Sequence, residues 1–238
     1  NVPGLVAIIV GEDPASQIYV ASKGKACEEI GMRTKTEKLS ADISEAELLS
    51  LIKSYNQNKD YHGILVQLPL PKHIKEDKVI ETISHKKDVD GFHPISVGNL
   101  VIGKDTFASC TPAGIQELLI RYKIETKGKH VVVVGRSNIV GKPIANIMLQ
   151  KAEGANSIVT IVHSAAKDIS YYTKQADILI AAIGKAEMIK ADMVKDGVAV
   201  IDVGINRIDD PTKAKGYRIV GDVDFENLSK KTSFITPV

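Results

Sequence analysis

"HVVVVGRSNIVGKPIANIMLQK", residues 130–151, runs four valines into a glycine turn and then into a stretch of helical apolar spacing. Consecutive β-branched residues suit a parallel strand buried on both faces. Gly135 and Gly141 bracket the turn. The first lets the chain reverse, the second lets a phosphate or the helix itself come close, and a helix N-terminus favours an anion. The spacing is Gly-x5-Gly rather than G-x-G-x-x-G, so a plain glycine turn between strand and helix also fits. A strand–turn–helix unit is predicted, with a dinucleotide as its candidate ligand.

The same grammar recurs on both sides of this stretch. Further strand candidates are "LVAIIV" (5–10), "GILVQL" (63–68), "SIVTIV" (157–162), "DILIAAIG" (177–184) and "VAVIDVG" (198–204). Amphipathic stretches lie between them. Asp13 and Pro14 open a helix that Gly31 can end. Ser44 and Glu47 form a capping box before "EAELLSLIKSYNQN", and Thr111 with Pro112 is read as the cap of "AGIQELLIRYK". Alternating strands and helices predict an α/β fold with parallel sheets. Periodicity is weakest between Ser84 and Thr111. A boundary near residue 110 then gives two α/β domains, 1–110 and 111–238.

The composition sets bounds. The 238 residues are 44% hydrophobic and 25% charged, as in a globular protein, and the net charge of +2 lacks the footprint of a nucleic-acid binder. No apolar run is long enough to span a membrane. Cys27 and Cys110 lie far apart and read as reduced thiols of a cytoplasmic protein. The chain starts at Asn1 directly before a strand and stops at "ITPV", so both ends look cut and an organellar leader stays open.

A site for NAD usually carries an acid at the end of the strand after the glycine turn, to bind the ribose 2′-hydroxyl. That strand ends here in "VHSAAKD", with His163 and Ser164 at the tip and no acid before Asp168, while Arg136 sits in the turn. An arginine and hydroxyls suit a 2′-phosphate, which favours NADP over NAD. In the first domain, polar residues follow the strands where open α/β sheets bind ligands. Tyr19 and Lys23 share a helix face; Gln67 interrupts "GILVQLPLP"; Asp88 and Asp90 lie in "KKDVDGFHP". Taken alone, Tyr19 and Lys23 read more readily as a surface pair and Gln67 as a backbone-satisfying amide, and "DVDG" could be a turn. "DVDG" lacks the further oxygens of a calcium loop, and no metal is expected.

Together these segments are specific. The runs "GEDPASQIYVASKGKACEEIG", "GILVQLPLP", "KDVDGFHP", "CTPAGI", "VVVVGRSNIVGKP", "DILIAAIGK", "VAVIDVGINR", "VGDVDF" and "ITPV" occur in one order across the whole chain. In this set the chain resembles the bifunctional methylenetetrahydrofolate dehydrogenase/methenyltetrahydrofolate cyclohydrolase (FolD) family. The resemblance implies an N-terminal folate-binding catalytic domain and a C-terminal Rossmann-type NAD(P)-binding domain. It further implies a homodimer through the Rossmann domains. Tyr19, Val20, Lys23, Val66, Gln67, Leu68 and Asp90 would line the folate pocket. Among them Lys23 is central to cyclohydrolase chemistry, Gln67 contacts it, Tyr19 packs against the substrate rings and Asp90 hydrogen-bonds the pterin. Gly135, Arg136, Ser137, Ser164 and Ile205 would contact NADP. This chain reads His163-Ser164-Ala165-Ala166 where the family often has His-Ser-Arg-Thr, which leaves NAD as the alternative cofactor. The family's Gly-rich segment beyond "ITPV" is not in this sequence.

The implied reaction oxidises 5,10-methylenetetrahydrofolate to the methenyl cation and hydrolyses it to 10-formyltetrahydrofolate. The first step needs alignment more than acid–base help; the second needs proton transfers. A neutral amide can orient an amine without adding the negative charge that would hold its proton. A monofunctional dehydrogenase, or a two-domain shikimate- or amino-acid-type dehydrogenase, is the alternative reading.

Overall fold

The computed structural model describes residues 2–238, and the chain divides into two units, Asn1–Ala108 and Ser109–Val238. The first contains β1 (Gly4–Val10), α1 (Pro14–Glu29), β2 (Arg33–Leu39), α2 (Glu45–Gln57), β3 (Gly63–Val66), α3 (Glu76–Thr82) and α4 (Pro94–Val101). Its sheet is all parallel in the order β2-β1-β3. The central strand β1 is covered on both sides. Val6, Ile8 and Val10 meet Leu48 and Ile52 of α2 and Val79 of α3, whereas Ala7 and Ile9 meet Val20 of α1 and Leu65 of β3. Period-2 alternation thus sends successive side chains into two cores, and the strand reads as continuously apolar.

The helix ends follow local chemistry. Asp13 accepts the Ser16 N–H at 2.8 Å and Pro14 occupies the first turn of α1. Ser44 and Glu47 close a reciprocal capping box on α2. Three readings change. "GILVQL" stops being a strand at Val66, so Gln67 stands just beyond the edge of β3. The helix placed at Thr111 begins at Cys110 with Ser109 as its cap residue, so Thr111 and Pro112 lie inside its first turn. Within the weakly periodic stretch, α4 forms because the His93 ring accepts the Ile95 N–H at 3.1 Å and Pro94 presets the first turn.

The second unit contains α5 (Cys110–Arg121), β4 (His130–Val134), α6 (Gly141–Leu149), β5 (Ile158–Val162), α7 (Ser170–Thr173), β6 (Ile178–Ala181), β7 (Ala199–Asp202), β8 (Asn206–Asp209), β9 (Tyr217–Val220), α8 (Phe225–Leu228) and β10 (Phe234–Ile235). Five strands form a parallel sheet in the order β10-β7-β6-β4-β5. Counted within the unit this is 2-1-3-4-5, a doubly wound order whose reversal falls between β4 and β6. The valines of β4 are fully buried and α6 packs on β4 and β5. β8 and β9 pair as a separate antiparallel hairpin. Among the described residues no helix is long and apolar enough to cross a membrane.

Candidate active site

In the first unit, α1 and the carboxyl end of β3 bring two side chains together across 44 residues of sequence. The Lys23 ammonium donates to Gln67 Oε1 at 3.3 Å, and Gln67 Nε2 donates to the Leu68 carbonyl at 2.9 Å. The amide is thereby oriented with its oxygen toward the amine. Tyr19 stands one turn before Lys23 on α1 and is 54% exposed. Val20 and Val66 turn inward, 3% and 5% exposed, into the two separate cores on either face of the sheet. Leu68 precedes a cis bond to Pro69.

The third strand end reaches the same place through a single bridge. Ile64 of β3 pairs with Asp88, its N–H donating to the Lys87 carbonyl at 2.8 Å. Gly63 is needed there, since a Cβ on it would lie 2.5 Å from Val89 Cγ1. Asp88 is 2% exposed and accepts from the Phe92 and His93 N–H groups and from the Ser96 hydroxyl at 2.7 Å. This carboxylate folds the turn that presents Asp90. Burial pushes the Asp90 carboxyl up from 3.8 to about 6; the Lys23 ammonium opposes that rise and the Asp88 charge adds to it. Lys23, Gln67 and Asp90 therefore form one electrostatic cluster.

The second unit gathers its candidate residues along the carboxyl edge of its sheet. Gly135 follows β4 at φ +134°, donates to the Val162 carbonyl of β5 at 2.8 Å, and has no room for a Cβ, which would sit 2.2 Å from the Ala182 carbonyl oxygen. Gly141 opens α6 with its own missing Cβ 2.3 Å from the Gly135 carbonyl oxygen. The second glycine thus serves close packing of helix on turn. Ser137 caps the turn, its hydroxyl accepting from the Val140 and Gly141 N–H groups at 3.1 and 3.3 Å. Arg136 is exposed beside it, and Ser164 is exposed just past β5. Ile205, after β7, is 68% exposed. A backbone cradle too tight for side chains, with an exposed guanidinium at its rim 3.4 Å from the His163 ring, fits a dinucleotide phosphate.

Two buried carboxylates shape this edge, and the sequence reading passed over both. Asp222 is fully buried and accepts from the N–H groups of Ile183, Gly184 and Lys185 and from Asn206 Nδ2. Asp202 accepts from the N–H groups of Gly204, Asp222 and Val223. Burial pushes Asp202 up, those N–H groups draw it down and the Asp222 charge raises it. Together they tie the loop carrying Ile205 to the ends of β6 and β9. The signal was present in "VIDVG" and "VGDVD", where acids interrupt apolar runs and must be satisfied if buried. Asp88 gave the same signal.

A parallel α/β unit with a lysine–amide–carboxylate cluster, joined to a doubly wound unit with a glycine phosphate cradle, defines a two-domain dinucleotide-dependent enzyme. The comparisons narrow that class. A family model for "Tetrahydrofolate dehydrogenase/cyclohydrolase, catalytic domain" matches residues 1–90, and one for the "NAD(P)-binding domain" of the same family matches residues 109–238. The chain is 62% identical over 240 residues to the bifunctional protein FolD of Chloroherpeton thalassium, covering 100% of this chain and 82% of that protein. Among solved structures, the bifunctional FolD of Campylobacter jejuni superposes with a TM-score of 0.92 at 50% identity, covering 99% of this chain and 80% of that one. The FolD of Trypanosoma brucei, solved with NADP cofactor and inhibitor, gives 0.90 at 38% identity over 99% of this chain and 80% of that one. This chain belongs to the tetrahydrofolate dehydrogenase/cyclohydrolase family.

Proposed function

We propose that the chain oxidises 5,10-methylenetetrahydrofolate to 5,10-methenyltetrahydrofolate with NADP and then hydrolyses the product to 10-formyltetrahydrofolate. The observation that carries the reading is the 3.3 Å contact of the Lys23 ammonium with Gln67, with Asp90 electrostatically coupled to the same amine. The folate occupies the 1–110 domain and the dinucleotide the 111–238 domain.

Lys23 gives and takes the proton at Nζ during water addition and ring opening. Gln67 holds that nitrogen by a neutral acceptor, which orients the amine without adding a further negative charge beside it. Asp90 anchors the pterin by accepting hydrogen bonds, and above about pH 6 it does so as a carboxylate. Tyr19 supplies an exposed ring for the flat substrate to stack on, with Val20, Val66 and Leu68 forming the wall behind. NADP, when bound, supplies the hydride acceptor. Gly135, Arg136, Ser137, Ser164 and Ile205 hold it, the glycines by close backbone approach and the arginine by charge. The protein works as a homodimer in the cytoplasm. Ile158 and Ile161 are exposed on opposite faces of the edge strand β5, whose open edge can pair with a second copy, and two free cysteines fit a reducing compartment.

Lys23→Met tests the assignment. Methenyltetrahydrofolate formation and decay are followed by absorbance, and folate binding by calorimetry. Hydrolysis is expected to vanish while folate affinity stays within a few-fold; hydrolysis at the wild-type rate overturns the role given to Lys23. Wild-type protein that forms the methenyl compound without hydrolysing it would be a monofunctional dehydrogenase.

A further inference from the structure

The helix α4 buries no apolar side chain. Of its residues only Ser96 is buried, at 1% exposure, while Ile95, Val97 and Val101 are exposed. Helices normally dock through an apolar stripe. Here a small polar side chain stands in that place, and what ties the first turn down is a hydrogen bond. The Ser96 hydroxyl donates to Asp88 Oδ2 at 2.7 Å, the shortest of the three bonds that this carboxylate accepts from Phe92, His93 and Ser96. With an ionised acceptor such a bond is about twice as strong as a neutral one. It reaches across eight residues and closes the loop 88–96 at its far end. The Ile64–Asp88 bridge fixes the near end. Asp90 lies between them, just before Gly91 turns the chain at φ +69° and donates its N–H to the Asp88 carbonyl at 3.3 Å. Among the described residues none hydrogen-bonds the Asp90 carboxylate, so the loop decides where that group stands.

We propose that Ser96 is a positioning residue for folate binding: acting through Asp88, its hydroxyl fixes the loop that presents the Asp90 carboxylate to the substrate. This rests on the folate reading of the first unit. Two charges bear on Asp90, the Lys23 ammonium from α1 and the Asp88 carboxylate from its own loop. Ser96 and Asp88 therefore act on the anchor in separable ways. Removing the Ser96 hydroxyl leaves both charges in place and loosens only the position of Asp90. Removing the Asp88 charge takes away one of the influences that raise the Asp90 carboxyl, so that group ionises at lower pH.

The test is steady-state oxidation of 5,10-methylenetetrahydrofolate with NADP by the purified chain from pH 5 to 9, for wild type, Ser96→Ala, Ser96→Thr, Ser96→Cys and Asp88→Asn. A loosened charge-assisted contact predicts a rise of about threefold to thirtyfold in the folate KM of S96A at pH 7.5. Its kcat and its KM for NADP should stay within twofold, because an anchor binds ground and transition states alike. S96T keeps the hydroxyl and should return to within about threefold of wild type; S96C, a weak donor of similar volume, should fall between S96T and S96A. The acid limb of kcat/KM for folate should stay in place in S96A and move to lower pH in D88N. A wild-type folate KM in S96A overturns the proposal, as does an S96T protein no better than S96A. A parallel loss of kcat and NADP affinity in S96A also overturns it, since the hydroxyl would then serve the fold alone. An acid limb unmoved in D88N overturns Asp88 as the link to Asp90. Wild-type protein that does not turn over methylenetetrahydrofolate overturns the folate reading itself.

Discussion

Replacing Asp90 by Asn should stabilise the protein while weakening its hold on folate. Burial raises this carboxyl from 3.8 to about 6, so the folded state holds its proton more tightly than the unfolded chain does. Stability is therefore fully present below about pH 4 and falls as pH rises through 4 to 6. Above that window the ionised group costs roughly 3 kcal/mol, from 1.36 kcal/mol per pH unit of difference. Asn removes the charge at nearly constant shape. The D90N advantage should be near zero at pH 4, grow through pH 6 and level off at up to about 3 kcal/mol at pH 8. With an m-value of about 2 kcal/mol/M, that is a urea midpoint shift of about 1.5 M. Circular dichroism at 222 nm, read in urea series from pH 4 to 8, measures it, and folate titration at pH 7.5 measures the functional loss. A D90N protein no more stable than wild type at pH 8, or equally more stable at pH 4 and pH 8, would refute the claim that Asp90 is held charged against desolvation.

Asp222→Ala leaves three backbone N–H groups and Asn206 Nδ2 without their acceptor in a fully buried site. It should cost roughly 3 kcal/mol or more in urea unfolding, and a loss below 1 kcal/mol would show that the carboxylate is dispensable. Gly141→Ala forces a Cβ to 2.3 Å from the Gly135 carbonyl oxygen; NADP affinity measured by calorimetry should fall at least tenfold, and wild-type affinity would remove the cradle from the binding argument.

Strands buried on both faces were legible because their residues are almost all apolar: β1, β3, β4, β6 and β7 could be marked from composition, with only His130 and Asp202 at strand ends breaking the pattern. β2 could not, since "RTKTEKL" is a sheet edge with alternating exposure and no apolar run. The β8–β9 hairpin was missed for a related reason, its residues facing largely outward. α4 escaped because a histidine ring, outside the usual Ser, Thr, Asp and Asn, supplies its cap. For the site, Tyr19 and Lys23 share a face by helical spacing. Their meeting with Gln67, and the approach of Asp90, depend on parallel pairing of β1 with β3 and on the Ile64–Asp88 bridge. Contacts at that sequence separation leave no local pattern. The family resemblance named Lys23, Gln67 and Asp90. It did not single out Asp88, Asp202 or Asp222, which act through the backbone.

The Asp202–Asp222 pair has a consequence for anyone rebuilding this enzyme. A Cβ on Gly204 would lie 2.2 Å from Asp222 Oδ1, and one on Gly221 would lie 1.7 Å from Asp202 Oδ2. Each carboxylate occupies the space that a side chain on the other strand's glycine would need, so neither glycine can be exchanged while the acid facing it stays. Chimeras that swap cofactor specificity between relatives should carry residues 183–185, 202–206 and 221–223 as one cassette, although they span three separate stretches of the gene. A library that randomises any one of them would be emptied by the two it left in place.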